Sequence, residues 1–125
     1  MNLLNDKLTV EQSNQLFRLG VRECYASVLE QPKHIGHTED ASRVFNVTDL
    51  LNILPREIII DNRNHILSIE LRDSYCSVYY FDIFNGSDEI SFQREEQLVD
   101  ALYKMTIWCL ENGRIKTPYI YDDKY

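Results

Sequence analysis

Apolar and polar residues alternate through the middle of the chain, from residue 57 to residue 84. The runs EIII, HILSIELR and YCSVYYFDIF are rich in β-branched and aromatic residues, and the polar segments DNRN and DS separate them. Strands that are joined by such short turns usually pair as antiparallel hairpins. The pattern therefore predicts an antiparallel β-meander over residues 57–84.

The register of this meander follows from its second turn. If Asp73 and Ser74 form a two-residue turn, apolar residues of the last two strands meet on one side of the sheet, which we call the core face. These pairs are Leu71 with Cys76, Ile69 with Val78, and Leu67 with Tyr80. Pairing around the first turn adds Ile58 and Ile60 to the core face.

The opposite side of the sheet, which we call the second face, is polar near Arg72 and apolar near Phe81. Its candidate interaction residues are Ile59, Ile66, Tyr75, Tyr79, Phe81 and Ile83. Two explanations of this apolar surface stay open: the N-terminal helices cover it, or it binds a protein partner or a second copy of the chain. Aromatic platforms that stack bases are normally flanked by Lys and Arg, whereas only Arg72 lies close here.

Capping residues mark the first helix, which we predict over residues 9–20. Thr9 and Gln12 fit a capping box, and Gly20 supplies a left-handed stop. The segment that follows, residues 21–47, is ambiguous between helix and strand at its start and then polar with Pro and Gly. We predict a loop for its polar part and leave the rest open.

Two further helices flank the meander in the prediction. Residues 48–54 form a short helix, with Thr48 as N-cap and Pro55 preventing continuation. Residues 94–112 repeat apolar side chains at three- and four-residue spacing, so this helix should pack across the core face. The tail, residues 114–125, either adds an edge strand or is partly disordered, and its terminal position favours disorder.

Composition and charge exclude several classes of function. The 125 residues are 44% hydrophobic and 26% charged, as in an ordinary globular domain. No apolar run approaches the roughly 20 residues that span a bilayer, and the first residues do not resemble a secretion signal. The net charge is −7, and Lys and Arg do not form the clusters that follow nucleic-acid phosphates. We expect a single cytoplasmic domain that binds neither a membrane nor nucleic acid.

Candidate chemistry is sparse. Cys24, Cys76 and Cys109 lie among apolar neighbours, which predicts buried, reduced thiols. His34 and His37 have a spacing seen in metal sites, but a structural site needs four ligands from a defined framework. A solvated loop explains them better, and we expect neither a metal nor a cofactor.

One polar pair stands out in the predicted register. Asp82 points to the core side of an otherwise apolar strand, opposite His65. A structural salt bridge at the end of the sheet is the favoured interpretation, and a catalytic dyad is the alternative. The chain has no Gly-rich phosphate loop, serine nucleophile elbow or CxxC motif.

Three segments carry a resemblance to a known group of proteins. LTVEQSNQLFRLGV, VTDLLNILPREI and LVDALYKMTIWCLENG resemble landmarks of short proteins, with no established activity, that phages and mobile elements of gut bacteria encode. In that group a first helix containing EQ leads to a Leu-Leu-x-x-Leu-Pro segment, a sheet and a closing helix. The resemblance implies a bacterial cytoplasmic accessory protein and transfers no catalytic residue.

Together these patterns predict an α+β domain over residues 1–125. A three- to four-stranded antiparallel meander carries the long C-terminal helix on its core face, and two short N-terminal helices close an end or the second face. The function that we expect is that of a non-enzymatic protein-interaction module. The alternative is a small-ligand-binding protein or hydrolase with a polar site at Asp82 and His65.

Overall fold

The chain folds into the α+β arrangement that its pattern predicts. The computed structural model describes residues 6–30, 42–84 and 89–121. Its helices are α1 (Val10–Arg18), α2 (Val47–Ile53) and α3 (Leu98–Glu111). Its strands are β1 (Val28–Glu30), β2 (Ser42–Val44), β3 (Glu57–Ile60), β4 (Arg63–Leu71), β5 (Cys76–Asp82) and β6 (Glu89–Glu95). Strands β3 to β6 form an antiparallel sheet in chain order, while β1 pairs with β2 in a small second sheet.

The predicted register of the meander is confirmed between β4 and β5. The observed pairs include Leu71 with Cys76, Ile69 with Val78, Leu67 with Tyr80, and His65 with Asp82. Between β3 and β4, Ile60 pairs with Arg63, so the turn consists of Asp61 and Asn62. Both turn residues have positive φ, 52° and 65°, as a two-residue type I′ turn requires. This turn keeps Ile58 on the core face and Ile59 on the second face.

The C-terminal helix packs on the sheet as expected, but it begins at Leu98 rather than at residue 94. Arg94 and Glu95 belong to β6, where they pair with Ser77 and Cys76 of β5. Residues 94 and 95, which the prediction placed in the helix, are therefore part of an edge strand, because pairing with β5 outweighs local helix propensity. The predicted stop is confirmed, since Gly113 follows α3 with φ +66°.

Both N-terminal helices begin with a reciprocal capping box. In α1 the Thr9 side chain accepts from the Gln12 backbone, as predicted. In α2 the N-cap is Asn46, not Thr48, because Asn46 and Asp49 each accept a hydrogen bond from the backbone of the other. Thr48 is an exposed residue of the helix itself.

One hydrophobic core joins the helices to the core face of the sheet. Its buried members include Leu8, Leu16, Phe45, Leu50, Ile53, Ile58, Val78, Tyr80, Val99, Leu102 and Met105. Helix α3 contacts β5 and β6, and α2 contacts α3. The N-terminal helices thus contribute to the core on the α3 side of the sheet. They do not bury the second face, so of the two predicted positions for these helices the one on the second face is wrong.

The tail is better ordered than its terminal position suggests. Ile115 is buried in the core, and the Arg22 amide donates to the Tyr119 carbonyl over 2.9 Å. Ile120 forms a single β-bridge with Val21. The prediction of disorder is therefore wrong for residues 114–121, and residues 122–125 lie outside the described part of the chain.

Candidate interaction surface

The second face of the four-stranded sheet carries large apolar side chains that the rest of the chain leaves exposed. Ile59 is 57% exposed, and Ile66 and Ile83 are also exposed. Tyr75, Tyr79 and Phe81 are half-buried on the same strand, β5, or directly before it. All six residues that the sequence singled out are therefore accessible to some degree. They differ in this respect from Ile58, which is 4% exposed on the core face, although Ile69 and Leu71 of that face are exposed at 39% and 52%.

A row of stacked side chains crosses the second face from β5 to β6. The rings of Tyr79 and Phe92 stack with centroids 5.3 Å apart and planes inclined by 23°. The guanidinium carbon of Arg94 lies 5.3 Å from the Phe92 centroid and 4.2 Å from that of Tyr75. We call these four side chains the aromatic ladder: Tyr75, Arg94, Phe92 and Tyr79.

A β-bulge places Arg94 and Phe92 in the ladder. The regular pairing of β5 with β6 shifts between Val78 and Tyr80, where Ser91 takes a positive φ of 54°. The extra residue in β6 reverses its alternation. Ile90 therefore packs against the core, while Phe92 reaches the second face.

Sequence reasoning did not identify Phe92 and Arg94 as surface candidates. The alternation of apolar and polar residues in EISFQRE was a signal for a strand, although it does not show on which face Phe92 lies. The predicted helix over residues 94–112 included the end of this segment and hid the strand. Phe84, two residues after the end of β5, is 86% exposed and was also not identified from the sequence.

The candidate polar site lies inside the protein rather than in an open cleft. Asp82 is 0% exposed and His65 is 2% exposed. One carboxylate oxygen of Asp82 accepts from the Phe84 amide over 2.9 Å, and the other lies 3.6 Å from the Arg63 guanidinium. Nδ1 of His65 lies 3.1 Å from the Arg63 carbonyl oxygen. Of these contacts, the one between Arg63 and Asp82 joins the ends of β4 and β5, and the other two are local to one strand each.

A second buried polar group links the sheet to α3. The Tyr80 hydroxyl donates to the Pro55 carbonyl over 2.7 Å and accepts from the Cys109 thiol at 3.7 Å. Burial raises the pKa of the Tyr80 phenol, and it raises the pKa of the Cys109 thiol to about 11. A thiol with such a pKa is a poor nucleophile near neutral pH, so Cys109 is a core residue.

The remaining cysteines differ in their surroundings. Cys76 is buried, and burial raises the pKa of its thiol. Cys24 is exposed, so the prediction that all three thiols are buried is wrong for this one. It borders an open pocket of about 270 Å³, whose lining residues are Cys24, Tyr25, Ser27, Asp49, Asn52, Ile53 and Tyr119. Asp49 there serves the fold, because one of its oxygens accepts from the amide and hydroxyl of Ser27 and from the Asn46 amide.

Residues 6–30, 42–84 and 89–121 contain neither a cluster of metal ligands nor a helix that could span a membrane. Within these ranges, His, Cys, Asp and Glu side chains do not gather in groups of three that could hold a metal ion. The helices there are also too short or too polar to cross a bilayer. His34 and His37, for which we predicted a solvated loop, lie outside the described residues.

Comparisons with protein-family models, with curated proteins and with solved structures gave no match. A proposal for the function therefore depends on the structure alone, and in particular on the second face and its aromatic ladder.

Proposed function

We propose that this chain is a non-enzymatic protein-interaction module that binds a protein partner through the second face of its four-stranded sheet. The observation that carries this proposal is the exposed apolar surface of Ile59, Ile66, Ile83 and Phe92. Monomeric soluble proteins rarely leave large contiguous apolar patches exposed, and those that do use them for binding. In keeping with the resemblance noted above, we further propose that it acts as a cytoplasmic accessory protein of a bacterial phage or mobile element.

The residue types on this face support a protein partner. Aromatic residues and Arg are enriched at protein interfaces, and Tyr and Arg are frequent among the residues that dominate binding energy. The aromatic ladder supplies two Tyr side chains, one Phe and one Arg that hold one another in place by stacking. A surface fixed in this way loses little conformational entropy when a partner binds.

Binding to the face is favoured over addition of a strand to the edge of the sheet. At the β3 edge, the Arg114 guanidinium already donates to the Ile59 carbonyl over 3.0 Å. At the β6 edge, the bulge at Ser91 interrupts the regular strand. Both features are common protections of sheet edges against pairing with other chains.

The placement of Asp82 and His65 also favours interaction over the hydrolase alternative. A catalytic residue has to touch its substrate, and these two side chains are buried and engaged by neighbouring groups. The ion pair of Asp82 with Arg63 links β5 to β4, which supports a structural role for Asp82.

A fragment-library selection tests the proposal. Protein fragments encoded by the genome that carries this gene are selected for binding to the full chain, to Ile66→Glu and to Leu29→Glu. Ile66 lies on the second face, and Leu29 is an exposed residue of β1 that serves as the matched control. Hits are then purified and titrated by calorimetry.

We expect at least one fragment that binds the wild type and Leu29→Glu with similar affinity and binds Ile66→Glu at least tenfold more weakly. Fragments that bind all three proteins equally, or a selection that yields none, would contradict the proposal. Binding of wild type to single-stranded oligonucleotides that is lost with Ile66→Glu would also replace a protein partner with a nucleic acid.

A further inference from the structure

Arg94 occupies an unusual position in the aromatic ladder. Its guanidinium lies over the Tyr75 ring at 4.2 Å and beside the Phe92 ring at 5.3 Å, so its flat surface is engaged by aromatic side chains. The N–H donors of a guanidinium lie at its edges, and stacking leaves those edges open to a further partner. Arg94 is exposed, so its donors are accessible from outside.

Within the described residues, the side chain of Arg94 has no hydrogen bond or ion pair. The other Arg that we predicted near this face behaves differently, because Arg72 donates to the Glu70 carboxylate over 3.0 Å. Among the described residues, Arg94 is therefore a cation whose guanidinium stacks against two aromatic rings and has no carboxylate partner.

We propose that Arg94 is the anchor for a carboxylate of the partner, and that the partner segment is a peptide with an Asp or Glu beside apolar side chains. This inference rests on the proposed function of the second face. A carboxylate matches the planar donor pattern of a guanidinium and can be bound through two parallel hydrogen bonds. The apolar neighbours of that acid would pack on Tyr79, Phe92 and Ile66, which border the site or lie across the same face.

The charge of the whole chain restricts the partner further. The net charge of −7 repels a strongly acidic ligand at long range. One acidic residue in an otherwise apolar segment gains the local pair with Arg94 and avoids most of that repulsion. The expected ligand is therefore an apolar peptide with a single acid at a fixed position, not a polyacidic tail.

The test is a selection from a random twelve-residue peptide display library on the immobilised full chain. Selected peptides are first sorted by their loss of binding to Ile66→Glu, which isolates those that use the second face. Each of these is synthesised in two forms, as selected and with its acid replaced by the matching amide. Both forms are titrated against wild type and Arg94→Gln by fluorescence anisotropy.

The inference predicts that peptides dependent on the second face are enriched in Asp or Glu next to apolar residues. Arg94→Gln should weaken the acidic form about tenfold or more and leave the amide form nearly unchanged, because a charge-assisted pair is lost only in the first case. Urea unfolding of Arg94→Gln serves as the fold control, since loss of an exposed cation–π contact should leave the fold intact.

Two other results would overturn the inference in distinguishable ways. Peptides that depend on Ile66 but carry no acid, or that bind Arg94→Gln as tightly as wild type, would show that the second face binds without an Arg94 anchor. In that case the proposed function stands and the inference fails. A selection without any peptide dependent on Ile66 would remove both.

Discussion

Replacing Ile58 and Ile59 by alanine, one at a time, compares the two faces of the sheet within one strand. Ile58 is 4% exposed and belongs to the hydrophobic core, whereas Ile59 is 57% exposed. The two substitutions remove the same atoms from neighbouring positions of β3. Their difference in stability therefore reports how much each face is buried.

The structure sets the expected size of both effects. An isoleucine-to-alanine change in a packed core costs about 2–5 kcal/mol, so Ile58→Ala should lower the free energy of unfolding by about 3 kcal/mol. Full burial of an isoleucine side chain stabilises a protein by about 2–3 kcal/mol. Less than half of the Ile59 side chain is buried, so Ile59→Ala should lower the free energy of unfolding by about 1 kcal/mol. The hydrogen bond from Arg114 to Ile59 uses the backbone carbonyl and survives the substitution.

Urea unfolding followed by far-UV circular dichroism measures the difference. Both variants should unfold in one transition with the same dependence on urea, and their free energies of unfolding should differ by about 2 kcal/mol. Equal losses for the two variants, or a larger loss for Ile59→Ala, would refute the assignment of Ile59 to an uncovered face.

Three further changes test other parts of the structure. Burial raises the pKa of Cys109 from 9.0 to about 11. Between these pH values the unfolded state loses a proton that the folded state keeps. The free energy of unfolding is therefore highest below pH 9 and falls as the pH rises towards 11. The free energy of unfolding should therefore fall between pH 8 and 10.5 by about 2 kcal/mol more in wild type than in Cys109→Ala, and equal falls would contradict this. Asn62→Ala should cost about 1 kcal/mol because φ is 65° there, while Asn62→Gly should cost nothing; similar thermal stability of the two would speak against a type I′ turn. Asp49→Ala should cost about 2–3 kcal/mol in urea unfolding, because Ser27 and Asn46 lose their shared acceptor, and a loss below about 0.5 kcal/mol would mean that these bonds contribute little.

The register of the meander could be predicted because two local signals agreed. Period-two alternation assigned each residue to a face, and the short turn at Asp73 and Ser74 fixed which residues lie opposite one another. A slip of one residue would have placed Glu70 and Arg72 among the apolar set. The pairing of His65 with Asp82 followed from the same reasoning and is observed.

The aromatic ladder could not be predicted in full, because β6 depends on long-range pairing. Arg94 and Glu95 occur in a segment with helix-forming residues, and only the contact with β5 makes it a strand. The bulge at Ser91 then decides that Phe92 lies on the second face, and no residue type in EISFQRE marks that position.

The local sequence pattern also could not predict whether the helices cover the second face. The first two helices have apolar sides that could have packed on either face of the sheet. They pack with α3 in the core because side chains such as Leu16, Leu50 and Ile53 fit there, and this depends on tertiary contacts rather than on local sequence. The candidate residues of the second face were found from the sequence, but their exposure was not.

Light scattering and circular dichroism on wild type and Phe81→Glu test the central claim most directly, namely that the second face is uncovered in the folded chain and free for a partner. Phe81 is half-buried on this face, so its replacement should cost only about 1–2 kcal/mol. The account predicts that both proteins have the monomer mass of 14.8 kDa and the same circular dichroism spectrum. A monomeric variant that is unfolded would place Phe81 in the core, and a wild-type dimer that Phe81→Glu separates into folded monomers would mean that a second copy already covers the face.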